Sequence, residues 1–167
     1  RSTGVGHAQR VVGQRGRGRR GVAAAGAAAQ QGDGAGGEQG LTLKDEQVFE
    51  GDYESQSGYD AMQRILALKP RPTAVFAFDD PMAIGAICAA WEAGVKVPDD
   101  ISMIGYDDVE MARFSSPPLT TIRHPKAELG LLAVQQLVSR IRNKELEVES
   151  MTVQPDLIVR RSVKSLR

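Results

Sequence analysis

Four aspartates are the residues of this chain best suited to do chemistry: Asp79 and Asp80 in AVFAFDDPM, and Asp107 and Asp108 in ISMIGYDDVE. Each pair follows a short apolar run, and an open parallel sheet presents its ligands at the carboxyl ends of its strands. Two chemistries suit carboxylates that converge on one crevice. Adjacent acids at strand ends hold Mg²⁺ in phosphoryl-transfer folds, and a fixed carboxylate accepts hydrogen bonds from two hydroxyls, which suits a polyol such as a sugar. Helix capping competes with both. Asp80 precedes Pro81, the pattern of an N-cap with proline at the first helical position, and Asp108 can close the turn that follows it. Asp79 and Asp107 are left as the freer acids. Tyr53, after a Gly-Asp turn, offers an aromatic face that can stack on a ring ligand or simply anchor the fold.

Catalysis finds little support. His7 sits in a compositionally odd segment, and His124 precedes Pro125 at a helix entrance, where capping or solvent exposure is the plainer role. There is no GxSxG elbow, Walker loop or paired metal-ligand cysteines. Cys88 has no basic partner near it in sequence and reads as a small hydrophobe on a helix face. A Mg²⁺-dependent phosphatase needs a nucleophile and a lysine near the acidic pairs, and no such constellation is present. The expectation is a binding protein, not an enzyme, with no cofactor and no metal.

The elements that must position these acids can be read from spacing. A short extended run from Gln47 to Glu50 turns at Gly51-Asp52-Tyr53 into a helix with Ser57 as its N-cap and Tyr59, Met62, Ile65, Leu66 and Leu68 near the helical period, stopped at Pro70. Ala74 to Phe78 and Ile101 to Tyr106 are continuous apolar runs of strand length, the pattern of strands covered on both faces. Between them a helix runs from Asp80 through Trp91 and stops at Gly94, a good C′ residue. A helix between two buried strands implies a parallel pair with a right-handed crossover. A further strand, Leu119 to Ile122, precedes a third helix from Pro125, with Leu129, Leu132, Leu137, Val138 and Ile141 on its apolar stripe. Asn143 to Ser150 reads as a charged loop. Pro155 puts the extended tail Met151 to Val159 at a sheet edge or between two sheets. The fold class is α/β.

A net charge of zero hides an asymmetry: residues 1–40 carry +4 and the remainder −4. Those forty residues hold 12 of the 18 glycines, eight alanines and six arginines, and lack Leu, Ile, Met, Phe, Tyr, Trp and Pro altogether. Such a segment buries too little apolar surface to offset the entropy of ordering its glycines, so disorder is expected. Arg15 to Gly21, RGRGRRG, could instead bind phosphate backbones, with salt-dependent affinity for RNA. A third reading concerns the gene: Gly, Ala and Arg have GC-rich codons, so a GC-rich region read in the wrong frame yields this composition. The frame-error reading accounts best for the abrupt change after Gly40. One cysteine forms no internal disulfide, and no stretch reaches bilayer-spanning length. A cytoplasmic protein is expected.

DDPMAIGA, the spacing to VPDDISMIGYDD, and PPLTTIRHPKAELG, together with EGDYESQSGYDAMQRIL, RPTAVFA and PDLIVRRSV, resemble the effector-binding core of the lactose and galactose repressor family, in its purine and ribose repressor branch. The resemblance runs from Leu41 to about Val163. It implies a type I periplasmic-binding-protein-like parallel sheet, here mainly the second lobe and incomplete, with residues 126–150 crossing back toward the first lobe and 164–167 as a tail. It implies that Asp107 hydrogen-bonds an effector, that Tyr53 stacks on the effector ring, and that Asp79 stands where sugar-responsive members often have Asn. An acid there accepts hydrogen bonds without donating, which leaves sugar and purine both open. Ile84, Cys88, Phe114 and Ser115 match the surfaces that form the family's homodimer. Neither a helix-turn-helix headpiece nor a complete first lobe is recognisable, so operator DNA would be bound only through a headpiece missing from this chain. A truncated sensor that neither binds operator specifically nor closes over an effector is the expectation. The alternative is a free-standing sugar-binding protein of the periplasmic type.

Overall fold

Four strand ends meet at one edge of a six-stranded sheet, and the acidic pairs stand there. The computed structural model describes residues 20–25, 45–145 and 150–165. In chain order the elements are β1 (Arg20–Ala25), β2 (Val48–Gly51), α1 (Ser55–Ala67), β3 (Ala74–Phe76), α2 (Asp80–Glu92), β4 (Ser102–Tyr106), β5 (Thr120–Arg123), α3 (Lys126–Arg142) and β6 (Asp156–Ile158), with 3-10 turns at Asp45–Gln47 and Glu110–Arg113. The sheet order is β2-β1-β3-β4-β5-β6. β3, β4 and β5 are parallel neighbours, while β1 is antiparallel to both β2 and β3. β2 therefore runs the same way as β3, β4 and β5, and Gly51, Phe76, Tyr106 and Arg123 end at the same edge.

β1 corrects one expectation. Six residues of the Gly/Ala/Arg-rich segment form a strand inside the sheet, registered Val22 to Phe49 and Ala24 to Val75. Backbone pairing on both sides can hold a strand that shows no hydrophobic alternation to announce it. The rest of residues 1–40, including His7 and most of RGRGRRG, lies outside the described residues, as does much of the predicted 143–150 loop.

The core forms where α1 and α2 cover the sheet. Met62 and Ile65 of α1, Met82, Ala86 and Ala90 of α2, and Val75, Ile101, Met103 and Leu119 around β3 to β5 are buried. The helices touch backbone to backbone at Gly58 and Gly85. A Cβ on Gly85 would stand 1.8 Å from the Ser55 carbonyl oxygen, and one on Gly58 2.0 Å from that of Met82. Gly94, with φ +72°, ends α2 as expected. Ser57 differs from its expected role: α1 starts at Ser55 with Glu54 at the cap position. The Ser57 hydroxyl instead accepts from the Asp52 amide (3.2 Å) and donates to the Glu54 carbonyl (2.9 Å), tying the turn that carries Tyr53. β6 lies at the sheet edge, antiparallel to β5, where Pro155 directed it.

α3 buries none of its residues. Leu132 of the expected stripe is half-buried, while Leu137 and Ile141 are open. Leu131 and Val134, not assigned to that stripe, are also open.

Candidate ligand-binding site

The two aspartates after β3 exchange the roles expected of them. Asp79 is the N-cap of α2: its backbone is extended, and Oδ1 accepts the Met82 amide at 2.8 Å. Asp80 is the first helical residue and turns inward, fully buried. Its Oδ2 accepts the Val109 amide at 2.8 Å, and its Oδ1 accepts the Thr121 hydroxyl in a short bond. Gly105 makes that pose possible, because a Cβ there would lie 2.3 Å from Asp80 Oδ1. Asp80 thus ties α2 to the loop after β4 and to β5.

Burial pushes both carboxyls above the ordinary 3.8. At Asp79 the Met82 amide pulls the value back, and the charges of Asp107, Asp80 and Glu54 push it further up. At Asp80 the bonds from Thr121 and Val109 oppose the rise, while Asp107 and Asp108 add to it. Those mutual effects place Glu54, Asp79, Asp80 and Asp107 in one neighbourhood.

The pair after β4 divides as well. Asp107 has φ +104° and Asp108 φ +49°, backbone positions that L-residues rarely take and that concentrate at binding sites. The Asp107 amide donates to the Ile122 carbonyl at 2.7 Å, which holds the turn against β5. Its side chain stays about one-third exposed, with Lys126 Nζ 3.5 Å from Oδ1. Asp108 is buried and bound by Arg160, whose guanidinium also donates to the Leu119 carbonyl at 2.8 Å. Arg123 stands 3.7 Å away. Asp108 is therefore structural, as capping logic expected, but through an ion pair and not through a cap.

Tyr53 has φ +70° and is 47% exposed at the end of β2. Its neighbour Glu54 is near enough to Asp79 to raise that carboxyl. The Tyr106 ring packs edge-to-face on His124 at 4.6 Å, and burial, followed by the Asp107 charge, raises its hydroxyl pKa. The sheet edge thus holds an open aromatic, a capping acid, an open acid and an ammonium. Among the described residues no group of three or more His, Cys, Asp or Glu is arranged to hold a metal ion. Asp80 and Asp108 are bound internally and Asp79 gives one oxygen to the helix cap, which leaves Asp107 as the most open acid of the four.

Lys126, Thr121, Arg160 and Ser162 were not singled out from sequence. Ser162 is buried, its hydroxyl donating to the Met103 carbonyl (2.6 Å) and accepting the Thr120 amide (2.7 Å), and it splices the tail onto β4 and β5. Only the basic run after PDLIV and the HPK step hinted at these partners. On α2, Ile84 is half-buried and Cys88 exposed, one turn apart. Phe114 is 70% exposed, and the Ser115 hydroxyl donates to the Ala112 and Pro117 carbonyls.

Similarity to known proteins follows the same outline. The family described as periplasmic binding protein-like domain matches residues 15–163. The HTH-type transcriptional repressor PurR of Erwinia tasmaniensis is 54% identical over 126 residues, which is 75% of this chain and 37% of that protein. A LacI family transcriptional regulator from Enterococcus faecalis, solved with bound ribose, superposes with TM-score 0.66 at 38% identity over 72% of this chain and 45% of that one. The lac repressor dimer bound to operator and the anti-inducer ONPF superposes with TM-score 0.63 at 32% identity, over 70% and 40%. This chain spans little more than a third of the curated relative's length. No described helix is long and apolar enough to cross a membrane. With its mostly parallel sheet, its acids at the strand ends and a family match over most of its length, the chain belongs to the periplasmic binding protein-like domain family, in the effector-binding form of LacI/GalR-type repressors.

Proposed function

We propose that this chain forms the second lobe of an effector sensor in a DNA-binding transcriptional repressor. The observation that carries the proposal is Asp107: an acid held on left-handed backbone at the end of β4, open to solvent, at the same sheet edge as Tyr53 and Asp79. The effector class is a sugar such as ribose, or a purine. Asp107 accepts its hydroxyl or N–H donors, Asp79 offers acceptor capacity only, and Tyr53 supplies a stacking face. The whole protein would act in the cytoplasm as a homodimer through Ile84, Cys88, Phe114 and Ser115. It would change operator affinity when two lobes reorient around the guest, without enzymatic turnover. The repressor relatives and the ribose-bound regulator favour this reading over a free-standing sugar-binding protein.

The frame-error reading of residues 1–40 accompanies the proposal, and genomic DNA upstream of Leu41, read in three frames, tests it. The functional test is a chimera in which residues 41–163 replace the matching region of the Erwinia tasmaniensis repressor. Operator binding that responds to ribose or to a purine base, with the response lost at least tenfold on Asp107→Ala, is the expected result. Operator binding indifferent to both ligands, or an Asp107→Ala response equal to the parent's, would overturn the proposal.

A further inference from the structure

Each acid of the pair after β4 has its own cation, and the two cations are used differently. Asp108 is buried against the Arg160 guanidinium, which also donates to the Leu119 carbonyl. That planar fork spends its hydrogen bonds inside the fold. Asp107 faces an ammonium instead: Lys126 Nζ lies 3.5 Å from Oδ1, beyond the roughly 2.7–3.2 Å of a direct hydrogen bond. Among the described residues no side-chain hydrogen bond uses either group. An acceptor and a donor therefore stand side by side with their capacity unspent.

The register of the sheet brings them together. Tyr106 of β4 pairs with Ile122 of β5, and the Asp107 amide donates to the Ile122 carbonyl. The Lys126 amide donates to the His124 carbonyl at 2.8 Å, which turns the chain at the end of β5. The first residue of α3 thus arrives beside the first residue after β4.

We propose that Lys126 is a further effector-contacting residue, which with Asp107 grips one neutral group that both donates and accepts. A hydroxyl between the two gives its hydrogen to Asp107 Oδ1 and accepts one from Lys126 Nζ, and each bond polarises the other. The N–H and C=O edge of an oxopurine does the same with two adjacent atoms. An ether oxygen has no hydrogen for Asp107, and a protonated amine is repelled by the ammonium. The inference rests on the effector reading of Asp107 and supplies it with a donor, which the acceptor Asp79 cannot be. An exposed ion pair adds little to stability, and a flexible lysine stem can follow the guest; the pair acts in binding.

The chimera that carries residues 41–163 in the Erwinia tasmaniensis repressor tests this, titrated separately with ribose and with hypoxanthine. The ligand that binds shows whether a hydroxyl or an oxopurine edge is gripped. Lys126→Met keeps the stem and removes the ammonium. It is expected to weaken binding of that ligand by about tenfold or more, the loss of one charge-assisted hydrogen bond. Its Tm should stay within about 2 °C of the parent's, as removal of an exposed pair allows. Asp107→Asn combined with Lys126→Met should cost less than the product of the two single losses, because both groups act on one part of the guest. Unchanged or tighter binding by Lys126→Met, or single losses that simply multiply, would overturn the inference and leave the effector reading standing. A parent chimera that binds neither ligand would remove the effector reading and this inference with it.

Discussion

Asp80 is an acid that the native fold holds more readily in its protonated form. Its folded pKa is raised by burial, so the native state binds this proton more tightly than the unfolded chain does. The stability it contributes is complete below the ordinary value of 3.8 and is lost as pH rises through the elevated native value. Asn at this position can accept from the Val109 amide and donate to the Thr121 oxygen, keeping both contacts without a buried charge. Asp80→Asn should therefore gain Tm relative to the parent as pH rises from about 4 to about 7, following that linkage. Asp80→Ala, which orphans the Val109 amide, should lose on the order of 2–3 kcal/mol near pH 4 and less as pH rises. Thermal melts across the pH series check both, and a Tm difference between the parent and Asp80→Asn that does not vary with pH would contradict the assignment. The sequence could not tell which of two adjacent aspartates caps α2, because proline is acceptable at either of the first two helical positions. The position of Asp107 at the end of β4 was legible, since an apolar run ending in an acid needs no tertiary information to be noticed. Lys126, the partner of Asp107, depends on how α3 leaves β5, which no local pattern records.

At the scale of elements, α1 and α2 form the block on which the acidic edge rests, and their contact is set by two glycines. A methyl at Gly85 would collide with the Ser55 carbonyl oxygen, a backbone atom that can move only if α1 moves. Gly85→Ala should cost about 2–3 kcal/mol by overpacking, despite the better helix propensity of alanine. Urea unfolding monitored at Trp91 checks it; a neutral or stabilising result would mean that the helices separate freely. The elements α1, α2, β4 and α3 were legible from their apolar spacing and run length, but β3 and β4 alternate buried with half-buried residues instead of being closed on both faces, and α3 buries none of its stripe. β1 was not legible. RGVAAA has no period, and only its neighbours on both sides make it a strand.

For the whole molecule, the ordered series of motifs after Leu41 revealed the family. What sequence left unassigned was the traffic between distant segments: Arg160 reaching Asp108 and Ser162 joining β4 to β5 tie the chain's end to its centre over separations that no spacing rule spans. Those ties also shape the sheet's margins. Among the described residues the sheet ends in β2, four residues long, and β6, three residues long, with Pro155 directly before β6. Short margins with a missing donor are poor templates for adding further strands. At high concentration this protein should therefore resist fibril growth. Thioflavin T fluorescence should stay flat over days in concentrated samples, and a lag followed by dye uptake would show that the margins recruit strands after all.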